Sequence, residues 1–443
     1  METMTRMKAR WISGIPAAAL VAAAILALAG PGTARSGEAA AGPAPADVQA
    51  VVEGSNAFAM ELYAKLAADP MNEGKNLFFS PYSLSTALAM TSAGARGNTG
   101  TEMATVMHYL PQERLHPACG KLVADIDTGG AKGGYEISVA NRLWGQKGYR
   151  FLDPFLNLVR AHYGTGLEPV DFIGDTEGAR KTINAWVEKK TQKKIRELLA
   201  PGILTGLTRL VLTNAIYFKG DWAAQFDVKA TRDEEFRVSA AQKVRVKMMN
   251  RTGKYALLEQ KDFQALALPY AGDALSLIVL LPRATDGLSA LEASLTPDAL
   301  AAHLAELAPI IRAGGTPKVV VGLPKFQATS AFSLKDVLVA LGMRDAFDKD
   351  KADFSGMNGA GPTDREALHI TAVVHKAYVK VNEEGTEAAA ATAVVMAKRS
   401  ARIGPVPSFR ADHPFLFLIR DNRTGMVLFL GRVTDPTQGG EGS

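Results

Sequence analysis

The first half of this chain is patterned for helices. Apolar side chains, among them Phe58 and Leu62, recur at helical spacing over residues 47–68, which predicts an amphipathic helix. Ser80 followed by Pro81 is typical of a helix start, because Ser caps free amides and Pro tolerates the first helical position. Further helices are predicted at 82–92, from Thr99 with Glu102 as its capping box, and at 152–163, 184–198, 287–308 and 333–341.

The second half is patterned mainly for strands. Residues 207–222 carry apolar side chains on both faces, which is typical of a central strand in a covered sheet. Residues 135–144 alternate with period two, 368–381 read as another strand, and 415–433 as a buried hairpin. Other strands are predicted at 76–79, 243–249, 255–258, 263–269 and 274–282, and a pair of strands near 317–328. Because helices and strands do not alternate regularly, the pattern favours an α+β fold over a doubly wound sheet.

Two structures compete for the segment from 383 to 400, whose only glycine is Gly385. Its alanines favour a helix, whereas a strand would place small side chains on one face and Glu387 on the other. The shared face would hold Thr386, Ala388, Ala390, Thr392, Val394 and Met396. Such a strand could slide between two existing strands, and small leading residues would avoid an overpacking cost of about 1 to 3 kcal/mol.

This segment resembles the hinge of the reactive-centre loop in inhibitory serpins. The residues that carry the resemblance are Glu383, Gly385, Thr386, Glu387, Ala388, Ala389, Ala390, Ala391 and Thr392. Residues 409–417 and 431–436 are similar to the serpin C-terminal signature, and 76–90 to the motif of the family's second helix. The resemblance covers roughly residues 49–436. It implies one α+β domain of three β-sheets and eight or nine helices, with an exposed reactive-centre loop at about 383–408.

The resemblance also implies roles for five residues elsewhere in the chain. It places Ser80, Ser83, Asn214 and His375 in a polar cluster beneath the sheet, at the point where two strands part. A buried polar network holds one arrangement firmly only while every member is bonded, so this cluster is expected to act as a switch. Without the resemblance, His375 would be interpreted as an ordinary buried histidine. Trp222 is expected at the top of the sheet, where plain core packing remains the alternative.

Arg399 and Ser400 are the candidate cleavage site. Fourteen residues run from Thr386 to Arg399 inclusive, which matches the family spacing from the first inserting residue to the cleaved bond. A basic surface dipeptide is the ordinary alternative, and Lys398 or Arg402 could serve instead because the stretch after Ser400 is somewhat longer than in many relatives.

The function that the resemblance implies is inhibition of trypsin-like serine proteases. Cleavage at Arg399-Ser400 would leave an acyl-enzyme, and the freed segment would insert into the sheet. The loop is expected to be exposed before cleavage, so Thr386→Arg is expected to block insertion without changing native stability. The alternative is a non-inhibitory member acting as carrier, chaperone or storage protein, but the small side chains from Thr386 to Ala391 argue against it.

The first 29 residues differ in composition from the rest of the 443-residue chain. Basic side chains precede an apolar run, 15–29, that ends in Ala-Leu-Ala. This predicts a signal peptide at 1–29 and a secreted protein, with a retained anchor as the alternative. Residues 30–47 are predicted to be a flexible linker, 48–437 the folded domain and 438–443 a short tail. Cys119 is the only cysteine, so no intrachain disulfide can form.

Composition and motifs exclude several other functions. The formal charge of +5 falls to about +3 without the leader, which is too weak to indicate a nucleic-acid partner. Four lysines at 189, 190, 193 and 194 could bind a polyanion, but a solvated helix face is the ordinary interpretation. The sequence lacks the common hydrolase, zinc-protease and nucleotide-binding motifs. We therefore expect a monomeric protein that is not an enzyme, with no metal, no cofactor and no membrane partner once the leader is removed, and with a trypsin-like serine protease as its partner.

Overall fold

The computed structural model describes residues 42–314, 318–386 and 406–438. Within them, six of the ten α-helices, including the two longest, lie in the first half of the chain, as the pattern predicts. The ten α-helices in these residues are α1 Pro45–Ala68, α2 Pro81–Ser92, α3 Gly97–Met107, α4 Gln112–Gly133, α5 Asp153–Tyr163, α6 Thr176–Lys190, α7 Leu288–Ser294, α8 Pro297–Arg312, α9 Lys335–Leu341 and α10 Ser355–Asn358. Helix α1 starts with Pro at its first position, so residues 45–47 are helical rather than linker.

The helix start predicted at Thr99 is wrong, because its two capping side chains have distant partners. Helix α3 starts at Gly97. The Thr99 hydroxyl accepts a hydrogen bond from the Asp353 amide. The Glu102 carboxylate accepts from the backbone amides at 344 and 345, at 2.8 and 2.7 Å.

The helix predicted to continue to residue 198 ends at Lys190. The buried Thr191 hydroxyl donates to the Val187 carbonyl oxygen and accepts from the Ile195 amide. Gln192 and Lys193 then take left-handed backbone angles, with φ of 50° and 64°. The chain therefore turns back after α6 instead of continuing as a helix.

The strands form three sheets among the described residues. Their bounds are β1 Leu77–Phe79, β2 Tyr135–Gln146, β3 Leu167–Val170, β4 Leu210–Asp221, β5 Arg232–Arg237, β6 Lys243–Lys254, β7 Ala256–Glu259, β8 Phe263–Pro269, β9 Leu275–Pro282, β10 Lys318–Pro324, β11 Phe326–Ser333, β12 Ala372–Val381, β13 Gly385–Thr386, β14 Ser408–Arg410, β15 Phe415–Asp421 and β16 Val427–Val433. The strand predicted to end at residue 249 continues to Lys254, because β6 pairs with β10 over residues 248–254.

We name the sheets by their pairing. The antiparallel sheet has the order β1-β16-β15-β9-β8-β7, and the four-stranded sheet has the order β14-β10-β6-β5. The mixed sheet has the order β11-β12-β13-β4-β2-β3. Helices and strands do not alternate regularly along the chain, and two of the three sheets are mainly antiparallel, so the α+β class and the three predicted sheets are confirmed.

Strand β4 is central in the mixed sheet, as its apolar pattern predicts. Leu212 and Ile216 belong to the main core, which includes α2 and the antiparallel sheet. Val211 and Ala215 belong to a second cluster on the opposite face, under α6. Both faces of the mixed sheet are therefore covered.

Candidate functional site

The candidate site is the line along which β12 and β4 meet, which we call the seam. The two strands pair in parallel from Ala372 opposite Val211 to Tyr378 opposite Tyr217. Above that point the short strand β13 lies between them, with Thr386 opposite Val381 on one side and opposite Gly220 on the other. Because β13 is antiparallel to both neighbours, it occupies the place where a longer inserted strand would begin.

Gly385 brings its backbone unusually close to β4. A Cβ atom built on Gly385 would lie 2.1 Å from the Gly220 carbonyl oxygen, a distance that no side chain can occupy. The tight turn before it is held by Asn382, whose side-chain oxygen accepts hydrogen bonds from the amides of Glu384 and Gly385, each at 3.1 Å. Gly385 is therefore required for the hinge to enter the sheet.

Thr386 is fully buried, with 0% of its surface exposed. Its hydroxyl lies 2.7 Å from the hydroxyl of Tyr270, whose pKa is raised by burial. The expectation that the segment is exposed before cleavage is therefore wrong at Thr386. The expectation that Thr386→Arg leaves native stability unchanged is wrong for the same reason, since the arginine would have to enter a closed core.

Trp222 contacts the hinge turn directly. Its indole Nε1 donates to the Asn382 carbonyl oxygen at 2.9 Å, and its amide donates to the Glu384 carbonyl oxygen at 2.9 Å. Its ring stacks on Tyr270 with 4.8 Å between centroids. Trp222 thus packs in the core and holds the top of the seam at once.

Glu383 anchors the start of the hinge through its carboxylate. Lys325 pairs with it at 2.8 Å, and the Thr231 hydroxyl donates to it at 2.9 Å. Burial alone would raise the pKa of Glu383, but the hydrogen bonds from Lys325 and Thr231 and the charge of Lys325 hold it below its ordinary value. The carboxylate is therefore ionised and bonded at neutral pH.

A buried hydrogen-bond network crosses the seam below the hinge. The Ser80 amide donates to His375 Nε2 at 3.1 Å, which leaves Nδ1 to donate to the side-chain oxygen of Asn214. The Asn214 amide group donates to the Ser83 hydroxyl at 2.8 Å and to the Asn141 oxygen at 2.7 Å. His375 lies on β12 and Asn214 opposite it on β4, so parting the two strands breaks this network.

His375 is neutral in this network. Burial lowers its pKa to about 3, and its two ring nitrogens meet one donor and one acceptor. Ser80 also caps α2, as predicted, because its hydroxyl accepts from the Ser83 amide at 3.1 Å. The structure thus brings Ser80, Ser83, Asn214 and His375 together. Their role as a switch stays a prediction.

Besides Asn382, which directly precedes the hinge, four residues of this site were not found from the sequence. Asn141 lies opposite Asn214 in the pairing of β2 with β4, so only the strand register would have revealed it. Tyr270, Lys325 and Thr231 contact the hinge from three separate elements. No local pattern marks them, since each is far from the hinge along the chain.

The remaining predicted site residues lie outside the described residues. These are the rest of the hinge and the candidate cleavage site with its alternatives, namely Glu387, Ala388, Ala389, Ala390, Ala391, Thr392, Lys398, Arg399, Ser400 and Arg402. The described part of the chain also contains no helix with the length and apolar character to cross a membrane.

Comparison with known proteins gives a consistent match. The family model described as "Serpin (serine protease inhibitor)" matches residues 53–436. The chain is 42% identical to human leukocyte elastase inhibitor over 386 residues, which cover 86% of this chain and 97% of that protein. It is 41% identical to serpin B6 of Macaca fascicularis over 391 residues, covering 87% of this chain and 99% of the relative.

Solved structures agree with the sequence matches. Uncleaved ovalbumin superposes with a TM-score of 0.75 at 30% identity, covering 87% of this chain and all of ovalbumin. Human thyroxine-binding globulin, solved with its hormone, superposes with a TM-score of 0.76 at 28% identity, covering 88% of this chain and all of that protein.

Proposed function

This chain belongs to the serpin family, and we propose that it inhibits trypsin-like serine proteases as a suicide substrate cleaved at Arg399-Ser400. The observation that carries the proposal is the position of Gly385 and Thr386. They already form the start of a strand between β12 and β4. Insertion of the rest of the segment would therefore extend an existing strand instead of starting a new one.

The pairing of β13 can be extended residue by residue. Each step beyond Thr386 moves one residue back along both β12 and β4. Thr392 would then lie opposite His375 and Asn214, at the polar network. Arg399 would lie opposite residues 368 and 207, just beyond the ends of both strands. Fourteen residues at about 3.3 Å each would carry an attached protease on the order of 45 Å, to the far end of the sheet.

The same pairing decides which side chains face the core. Thr386 points inward, so alternate residues after it, Ala388 and Ala390 first, would also point inward. Their neighbours on β4 would be Phe218 and Ile216, both already fully buried. Small side chains are what such a filled interior can accept.

The chemistry would come from the protease. Its nucleophile attacks the Arg399 carbonyl carbon, the bond to Ser400 breaks, and Ser400 leaves with a new amino terminus. Insertion then competes with hydrolysis of the acyl bond. Insertion would replace the parallel pairing of β12 with β4 by two antiparallel pairings, one with each strand. Antiparallel pairings are the more stable kind. The uncleaved protein would therefore be metastable and protected by a kinetic barrier.

The proposed target class rests on Arg399. A guanidinium fits an acidic specificity pocket through charge-assisted hydrogen bonds. The human relative is named as an elastase inhibitor, but the small pocket of an elastase would not accept an arginine. We therefore favour trypsin-like proteases over elastases for this chain.

The experiment is incubation of the protein with trypsin, followed by denaturing gel electrophoresis. We expect a band at the summed mass that survives boiling, and a C-terminal fragment that starts at Ser400. Arg399→Leu should abolish inhibition of trypsin while leaving the fold intact. Full inhibition by this variant would move the cleavage to Lys398 or Arg402. Clean digestion without a complex would favour a non-inhibitory carrier, like the hormone-binding globulin among the structural relatives.

We also propose that the protein is exported and that residues 1–29 are removed. The support is the basic and apolar composition of that segment. Intact-mass measurement of protein recovered outside the producing cell should give a chain that starts at Gly30. Recovery only with membranes, at full mass, would favour the retained anchor.

A further inference from the structure

The four-stranded sheet carries an excess of positive charge. Its strands hold nine basic and three acidic residues, a net charge of +6, whereas the whole chain carries +5. The three acids all lie on β5, and each already pairs with a cation: Asp233 with Lys247, Glu235 with Lys243, and Glu234 with Arg410. The sheet therefore has no carboxylate left to neutralise its other six cations.

Two of those six cations, Lys254 and Lys318, lie directly opposite each other on β6 and β10. Like charges at opposite positions of neighbouring strands destabilise the pairing. Both side chains are exposed, and no acid among the described residues pairs with either of them. Nothing in this part of the chain compensates the repulsion, which favours a partner of opposite charge outside it.

Exposed apolar side chains lie beside the two lysines. Val320 is 38% exposed and lies on the same face of β10 as Lys318, whereas the two valines beside it along the strand are buried. The Val320 amide donates to the Pro407 carbonyl oxygen at 2.9 Å. This contact places Val406, which is 46% exposed, at the same edge of the sheet.

The strand register joins these side chains into one surface. Val320 lies opposite Thr252 on β6 and opposite Ser408 on β14, and both of these residues are exposed. We call this surface the exit patch, and it consists of Thr252, Lys254, Lys318, Val320, Val406 and Ser408. A partner that binds there can bury apolar side chains and neutralise positive charge at the same time.

The exit patch closely follows the candidate cleavage site along the chain. Seven residues lead from Arg399 to Val406, and they span at most about 25 Å. A protease domain of about 200 residues has a radius of gyration of about 16 Å and is therefore roughly 40 Å across. A protease that holds Arg399 in its active site thus brings its neighbouring surface within reach of the exit patch.

We propose that the exit patch is a second contact site for the attacking protease, and that it favours proteases with acidic side chains beside the active site. Arg399 selects the class of protease, and the patch selects within that class. Opposite charges on two approaching surfaces raise the rate of encounter, and salt weakens this effect. Because the contact forms before cleavage, it changes the rate of complex formation and not the fate of the acyl-enzyme. The inference rests on the proposed inhibitory function.

The test compares an anionic and a cationic trypsin, which share an acidic specificity pocket but carry opposite net charge. The second-order rate constant of inhibition is measured for each at about 0.05 M and about 0.5 M salt. Wild type should inhibit the anionic trypsin faster in low salt, and the difference should shrink in high salt. The double variant Lys254→Glu/Lys318→Glu should inhibit the anionic trypsin about tenfold more slowly in low salt. The number of inhibitor molecules consumed per inhibited protease should not change.

The double variant has a matched control. It keeps two like charges opposite each other, so the pairing of β6 with β10 is strained as in the wild type. The control, Lys189→Glu/Lys190→Glu, makes the same change in net charge at the exposed end of α6, which packs on the mixed sheet instead. These control substitutions should alter the rate constant much less.

Three results would overturn the exit patch as a protease contact. The first is an unchanged rate constant in the double variant. The second is an equal loss in the control variant, which would assign the effect to net charge. The third is a loss that arises only after a sulfated polysaccharide is added, which would make the patch a polyanion site instead.

Failure of the inhibitory function would be visible separately, because wild type would then form no complex with either trypsin. In that case, the exit patch is tested alone, by the affinity for an anionic trypsin whose nucleophilic serine is replaced by alanine. Wild type should bind about tenfold more tightly than the double variant, and the control variant should bind as the wild type does. Equal affinity of wild type and double variant would contradict the proposal.

Discussion

The two ends of the reactive-centre loop are fastened to the molecule by different kinds of contact. At the N-terminal end, Gly385 and Thr386 are sealed inside the mixed sheet by close backbone approach and by the rings of Trp222 and Tyr270. At the C-terminal end, a three-residue strand is supplemented by the ion pair of Arg410 with Glu234 and by hydrogen bonds of His413 to Asp412 and to the Pro282 carbonyl oxygen. Packing does not depend on solvent conditions in the way that charge does. The first end is therefore committed to the sheet, whereas salt can weaken the Arg410–Glu234 ion pair of the second.

The largest effect is expected from Thr386→Arg, which places a cation in the closed end. An unpaired buried charge costs on the order of 3 to 5 kcal/mol, so the variant should lose that much stability in chemical denaturation and should form little complex with trypsin. Thr386→Val keeps the shape and removes only the contact with Tyr270, so it should lose about 1 kcal/mol. Unchanged native stability in Thr386→Arg would show that this end is open. The two ends of the loop would then not differ in the way described.

A smaller effect is expected from Glu383→Gln, which removes the ion pair with Lys325 beside the closed end. The Glu383 side chain is 7% exposed but that of Lys325 is 40% exposed, so solvent weakens the pair and about 1 kcal/mol should be lost at pH 7. The pKa of Glu383 lies below its ordinary value of 4.5, so its stabilisation is present above that value and lost as the pH falls further.

Denaturation midpoints at pH 7 and pH 4 measure this contribution. The difference between wild type and Glu383→Gln should shrink at pH 4, while Glu384→Gln serves as the neighbouring control. A gap that grows on acidification would contradict the assignment of Glu383 as a bonded carboxylate.

The smallest effect is expected from Arg410→Gln, at the end of β14 on the C-terminal side of the loop. Arg410 and Glu234 are 40% and 24% exposed, and exposed pairs of this kind contribute less than about 1 kcal/mol. The loss should shrink further in 1 M salt, about the concentration at which charges are screened within 3 Å. Urea denaturation at low and high salt checks both points. A loss as large as that of Thr386→Arg would mean that surface charge, rather than the packing of buried residues such as Phe409, holds this end.

What could be predicted from sequence is what depends on neighbouring residues. The cap formed by Ser80, the buried strand β4 and the inward face of Thr386 follow from residues close together in the chain. The capping box at Thr99 failed because Glu102 binds a backbone more than 240 residues away. The predicted exposure of Thr386 failed for the same reason, since its hydroxyl meets Tyr270, which follows β8 and lies 116 residues away along the chain.

The family resemblance identified some site residues that the local sequence pattern does not indicate. Ser80, Ser83, Asn214 and His375 are spread over almost 300 residues, and nothing in their own surroundings groups them. Asn141 completes the same network, but it could be identified only from the strand register in the structure. Hydrogen-bond partners of buried polar groups are set by packing between distant elements, and no periodicity records them.

One consequence follows from the double attachment of Ser80. Its hydroxyl closes the first turn of α2 while its amide donates across to the ring of His375. Separation of the two strands would therefore leave one identifiable amide without its partner, although the helix around it stays intact. The rate at which that amide hydrogen exchanges with solvent deuterium would report how often the two strands separate in the uncleaved protein, with no protease present.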